Sequence, residues 1–225
     1  MPAEVTLSML RAAGILAGFA VFGALLVALT WEGTEERIAD NERAYLLRTL
    51  ADVLPEGGYD NAVHEDFITV TDRELLGTGA PVTVYRARLR NQPVAVVMTP
   101  VAPSGYSGPI RLLVGIHVDG TVSGVRVVSH RETPGLGDKI EVVRDDWILG
   151  FEGRRLGDPP RERWAVRRDN GVFDQFTGAT ITARAVVSAV RDALIYFQAN
   201  RDLLFAAPTS TPEALPEEGA GEEKP

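Results

Sequence analysis

Hydrophobic positions along this chain fall into three regimes. Residues 12–29 are all apolar or glycine, reading AAGILAGFAVFGALLVAL. As a helix that run measures about 27 Å at 1.5 Å per residue, close to the hydrocarbon thickness of a bilayer. Residues 34–54 then place Ile38, Tyr45, Leu46, Leu50 and Val53 or Leu54 at helical intervals, stopping at Pro55-Glu56-Gly57-Gly58. Beyond them come extended, loosely alternating segments at residues 82–90, 94–99, 110–118 and 121–128, with residues 163–168 as one more candidate strand. Asp119-Gly120 between two of these runs is a short-range hairpin signal. A final helix over about residues 182–200 buries Val186, Val187, Val190, Leu194 and Phe197. Strands in series with helices at both ends predict an α+β domain around an antiparallel sheet, preceded by one N-terminal transmembrane helix.

The flanks of the apolar run set its expected orientation. Arg11 precedes it and can snorkel, Trp31 follows at the depth where aromatic rings settle, and Glu32, Glu35 and Glu36 come next. No Ala-x-Ala cleavage site follows, so an uncleaved anchor is favoured over a signal peptide. The chain is thus expected to carry a cytoplasmic N-terminus (1–11), a single membrane span (12–30), a helical linker (31–60), a sheet domain (61–200) and a disordered acidic, proline-rich tail (201–225). Gly14 and Gly18 are spaced for close helix packing, a spacing also common by chance in Ala/Gly-rich spans.

Composition narrows the chemistry. The 225 residues contain no cysteine, which removes disulfides, thiolate iron–sulfur sites and cysteine zinc sites. His64, His117 and His130 show no metal-ligand spacing, and His117 falls in a predicted strand as a structural residue. The formal net charge of −8 argues against nucleic-acid binding. Any redox chemistry must come from a non-metal cofactor.

The most informative stretch is Asp174-Gln175-Phe176-Thr177-Gly178-Ala179-Thr180, which leads straight into the last helix. A Thr-Gly-Ala turn at a helix start frees backbone N–H groups and lets a large anion come close, where the helix dipole favours negative charge. Read alone, Thr180 or Thr182 serves equally as an ordinary N-cap, with Gly178 as loop punctuation. Two other loops, Gly105-Tyr106-Ser107-Gly108 and His130-Arg131-Glu132-Thr133-Pro134-Gly135-Leu136-Gly137, read in isolation as turns. Glu132 reads as a solvated charge and His130 as a hydrogen-bonded loop histidine.

Together these motifs resemble a known family. Asp-x-x-Thr-Gly-Ala-Thr is similar to the signature of proteins that carry FMN as a phosphoester on the last threonine. Gly-Tyr-x-Gly-x-Ile followed by Glu-Thr-Pro-Gly-Leu-Gly resembles the FMN-binding domain of the G subunit of Rnf electron-transport complexes, related to the C subunit of sodium-pumping NADH:quinone reductase. The resemblance covers the chain from its anchor to about Phe197, and it implies covalent FMN on Thr180, installed by a flavin transferase using FAD. It further implies Asp174, Thr177, Gly178 and Ala179 as the frame of the attachment site. We expect Thr182, Glu132, Thr133, Gly135, Leu136, Gly105 and Tyr106 as further cofactor-binding residues. No substrate-binding catalytic residue is expected. The implied role is a single-pass subunit in the bacterial inner membrane with its flavin domain in the periplasm. There it relays electrons among other Rnf subunits in ferredoxin/NAD chemistry coupled to ion transport. An FMN-bearing regulatory protein, a stand-alone extracytoplasmic flavin reductase and a flavin-free anchor are the alternatives.

Overall fold

The computed structural model describes residues 9, 11, 13–27, 44, 46–54 and 57–206. Two compact units divide it, residues 1–48 and 49–225.

In the first unit residues 13–27 are helical, and their apolar side chains are exposed, Leu16 at 70% and Phe19 at 73%. Among the described residues no helix is long and apolar enough to cross a membrane. Ala12 and residues 28–30, the ends of the expected span, lie outside the described residues, as does most of the expected linker helix. Its last turn is helical over residues 46–51, and the boundary expected near residue 60 falls instead before Thr49. The physical reason is burial, since Leu50, Val53 and Leu54 all pack inside the second unit.

That second unit is built on six strands: β1 (Phe67–Asp72), β2 (Thr78–Leu89), β3 (Gln92–Met98), β4 (Val101–Ala102), β5 (Ile110–His117) and β6 (Val122–Ser129). Every pairing is antiparallel. β3 and the short β4 follow one another along one edge of β5, and β6 takes the other edge. β5 and β6 form the hairpin expected at Asp119-Gly120, where the Thr121 N–H donates to the Asp119 carboxylate.

The faces follow the period-two alternation of a strand. Val84, Met98 and Val114 line up across β2, β3 and β5 and join the main core. Val97 and Leu113, on alternate positions, are buried outside that core. The C-terminal helix (Thr180–Phe205) covers the first face with Val186, Val187, Val190, Leu194 and Phe197, the five residues its spacing nominated. Burying each such side chain contributes about 1.5–3 kcal/mol.

Several expectations need correction. The helix begins at Thr180 and continues to Phe205, past the expected limit at residue 200, through a kink at Asn200. Leu204 is buried and the carbonyl of Ala206 is gripped by Arg86 and Arg88, so residues 201–206 belong to the fold. Residues 207–225 lie outside the described residues. Residues 163–168 are not a strand: two 3-10 turns, Arg161–Arg163 and Arg167–Asp169, flank a single parallel bridge between Val166 and Phe173. Trp164 and Val166 alternate inward as in a strand, but the chain reverses at Asn170, whose φ is +62°. β1 went unforeseen because it is an edge strand with one buried residue, Val70.

Between β6 and the C-terminal helix the chain folds through 3-10 turns around an aromatic cluster. Phe151 stacks on Phe173 at 4.5 Å, and Trp147 meets Phe176 at 5.0 Å. This cluster supports the turn that opens the helix.

Candidate functional site

Three loops meet at the start of the C-terminal helix. The first, Gly105-Tyr106-Ser107, leads into β5. The second, residues 132–137, follows β6, and the third is Thr177-Gly178-Ala179. Tyr106, Glu132, Thr133, Leu136, Gly137, Gly178, Ala179 and Thr182 line a cleft of about 180 Å³ between them. Six of these eight were nominated from the sequence as Glu132, Thr133, Leu136, Gly178, Ala179 and Thr182, and Tyr106 makes a seventh. Gly137 was missed.

The cleft is held together from below by Glu132. Its carboxylate accepts from the Ser107 N–H at 3.0 Å and from the Thr182 hydroxyl. One side chain therefore ties all three elements, and Glu132 is buried rather than the solvated charge its loop context suggested. His130 positions the same loop. The Glu132 N–H donates to its Nδ1 at 3.0 Å, which leaves the ring proton on Nε2, 2.7 Å from a Glu141 carboxylate oxygen. His130 is thus a hydrogen-bonded loop histidine, as its context implied.

The helix start is open. Ala179 is the N-cap and offers no side-chain hydrogen bond, so neither threonine caps the helix. Thr182 spends its proton on Glu132. The backbone N–H groups of Thr180, Ile181 and Thr182 find no acceptor among the described residues. Such a cluster, with the positive end of the helix dipole, is suited to an anion. Gly178 holds φ at +86°, a conformation that side chains disfavour, and its open side faces Leu136.

Not every nominated residue joins the cleft. Thr180 is half-buried as the first helical residue, beside Ala179 but outside the lining. Thr177 is exposed, and Gly135 is an exposed turn residue at φ +79°. Gly105 packs under Glu132. Asp174 stands apart: its carboxylate pairs with Arg167 at 3.0 Å and lines a separate cleft of about 470 Å³ with Trp147 and Phe176. Trp147, which fixes that segment, belongs to an Asp146-Trp147 pair that itself resembles the Rnf G subunits, but it was not named as a site residue.

The rim of the smaller cleft is apolar and exposed, with Tyr106 at 68% and Leu136 at 46%. The arrangement can therefore hold an anionic group at the helix start and a flat apolar group against the rim.

Comparison with known proteins agrees with this geometry. The FMN-binding domain family matches residues 105–195, which take in all three loops, and the RnfG N-terminal region matches residues 1–53. The chain is 49% identical over 223 residues to the G subunit of the ion-translocating oxidoreductase complex of Pseudomonas aeruginosa, covering 99% of this chain and all of that one. It is 47% identical over 205 residues to the corresponding G subunit of Pseudoalteromonas atlantica, covering 91% and 95% of the two chains. With the G subunit of Vibrio cholerae it shares 46% identity over 194 residues, covering 86% and 92%. The chain belongs to the family of G subunits of ion-translocating oxidoreductase complexes, and its sheet domain is an FMN-binding domain.

Proposed function

We propose that this protein is the membrane-anchored flavoprotein subunit of an Rnf-type complex, carrying FMN as a phosphoester on Thr180. The observation that carries the reading is the set of three unpartnered N–H groups at the start of the helix whose first residue is Thr180, next to Ala179 and Thr182 of the cleft lining. They would receive the phosphate oxygens, while Gly178, having no side chain, leaves room for the group to approach. The Thr180 hydroxyl would displace AMP from FAD, so that its oxygen bonds to the FMN phosphorus. A separate transferase would catalyse that exchange, with the exposed Asp174 available to it.

At about 180 Å³ the cleft is smaller than the 300–1,000 Å³ of pockets that enclose a ligand. Tyr106 and Leu136 would therefore cover part of the ring and leave the rest open, with retention supplied by the covalent bond. FMN supplies one- and two-electron transfer when bound, and the protein supplies attachment, orientation and electrostatics. An open ring suits exchange with other proteins.

Residues 12–30 form the single span in this reading, supported by the exposed apolar helix at residues 13–27. Arg11 before it and the glutamates after it support a cytoplasmic N-terminus and a periplasmic sheet domain. The partners are the other Rnf subunits, which hold the ferredoxin and NAD chemistry and the ion path. This chain has no cysteine for iron–sulfur centres.

Intact mass of the full chain, produced with and without a flavin transferase, tests the attachment. The expected result is an increment of FMN less one water in the wild type that is absent in Thr180→Val. An unmodified wild type in the presence of the transferase sinks the reading.

A further inference from the structure

The carboxylate of Glu132 is buried, with 4% of the residue exposed, and no cation meets it. Among the described residues it forms no ion pair. Its two partners are both neutral donors, the Ser107 N–H and the Thr182 hydroxyl. Space for it is made by two glycines. A Cβ at Gly105 would lie 2.8 Å from one carboxylate oxygen, and one at Gly137 would lie 2.8 Å from the Glu132 Cβ and 3.0 Å from the other oxygen.

Burying a charge without a counter-charge is costly, and two neutral hydrogen bonds offset only part of that cost. The positive end of the C-terminal helix, where Thr182 sits, offsets some more. Tying three loops together does not need a charge, because a neutral amide of the same shape could accept from the Ser107 N–H with its oxygen and donate to the Thr182 hydroxyl oxygen with its NH2. The carboxylate lies at the wall of the cleft, which Glu132 shares with Thr133, Leu136 and Gly178.

We propose that Glu132 sets the electrostatics of electron transfer in this cleft: its fixed negative charge opposes negative charge on the flavin and so poises that flavin as a stronger reductant. The inference rests on the FMN reading above. Two-electron reduction with uptake of a single proton makes the ring one unit more negative. A carboxylate beside it, in surroundings of low dielectric, raises the energy of that form. Ser107 and Thr182 act through the carboxylate by holding it in place, and Gly105 and Gly137 by leaving it room.

The test uses the full chain produced with the flavin transferase and purified in detergent, followed by spectroelectrochemical titration. Intact mass comes first: a wild type lacking the flavin increment overturns the FMN reading and this inference with it. With flavin present, Glu132→Gln removes the charge and keeps the shape. The expected result is a reduced-to-oxidised ratio about tenfold higher at a fixed potential, about 30 mV for a two-electron couple. A ratio within about twofold of wild type, with flavin fully incorporated, overturns this inference alone. Glu132→Asp keeps the charge while loosening the grip on Ser107 and Thr182, so it decides the matter even if the glutamine variant fails to fold. It is expected to melt earlier yet keep a ratio within about twofold of wild type. A tenfold shift in that variant overturns the inference, since loop geometry and not charge would then govern the flavin.

Discussion

The indole N–H of Trp147 donates to the carbonyl oxygen of Asp174 at 2.8 Å. This one bond ties the 3-10 turn Asp146–Phe151 to the segment that enters the Thr-Gly-Ala turn. It also fixes the backbone of Asp174 while leaving its carboxylate exposed beside Arg167. Replacing Trp147 with Phe keeps the aromatic contacts to Phe151 and Phe176 but removes the donor. The expected loss is about 1 kcal/mol, or roughly 2–4 °C in melting temperature for a domain of this size. Thermal unfolding followed by circular dichroism reads it, and an unchanged melting temperature would show that the bond carries no weight.

Gly178→Ala is expected to strain the turn itself. Its φ of +86° costs a residue with a Cβ about 1–2 kcal/mol, and the new methyl would lie 3.5 Å from Leu136. Leu136 leaves space for the methyl, so the loss should come from the backbone. The variant should be destabilised by about that amount and take up less FMN when the transferase is limiting. Wild-type melting together with wild-type incorporation would contradict the prediction.

Arg86 is 2% exposed and pairs with Asp66, while its Nη1 donates to the Ala206 carbonyl at 2.8 Å. Arg88 reaches the same carboxylate and the same carbonyl, at 2.8 and 3.1 Å. Arg86→Met leaves the half-buried Asp66 carboxylate with Arg88 and a longer hydrogen bond from Asn61, and weakens the grip on the helix end. Breaking a buried pair of this kind typically costs 3–5 kcal/mol. We expect a fall of roughly 10 °C in melting temperature, and a fall of under a few degrees would mean that Arg88 alone suffices.

Acid should weaken the β5–β6 hairpin through Asp119. The N–H of Thr121 is the main cause that holds its carboxyl below the ordinary aspartate value of 3.8. A lowered folded-state value means that the contribution is present above 3.8 and is lost as pH falls below it. Asp119→Asn keeps an acceptor for Thr121 but carries no charge to titrate. Its deficit relative to wild type should therefore shrink between about pH 5 and about pH 3. A deficit that stays constant across that range would show that the charge is not involved.

What could be read from the sequence tracks where a single local pattern suffices. The extended runs at residues 82–90, 94–99, 110–118 and 121–128 and the Asp119-Gly120 turn marked four of the strands and a hairpin, because each signal lies within a few residues. The helix face from Val186 to Phe197 was legible for the same reason. Burial of Arg86 and Arg88 was not, since it depends on Asp66 and on a carbonyl 120 positions away from Arg86. β2 also shifts register between Ala87 and Arg88, which breaks the alternation there. The site shows the same divide. Motif resemblance grouped the loops of Tyr106, Leu136 and Gly178, and the fold does bring them to one cleft. The burial of Glu132 needed Thr182, fifty residues away, to become apparent. Asp174 shares a motif with Gly178 yet turns toward Trp147, because sequence proximity does not fix which side of a turn a side chain takes.

The C-terminal helix is secured at both extremities, to Glu132 through Thr182 near its start and to Arg86 and Arg88 through Ala206 just past its end. A helix of 26 residues, kinked at Asn200 and pinned in this way, cannot slide or swing over the sheet without breaking one of its fastenings. An FMN joined to Thr180, as proposed, would consequently travel with the entire sheet domain as a rigid passenger. Any change in its tunnelling distance to a neighbour would then have to come from moving the domain, and not from a local swing of the helix.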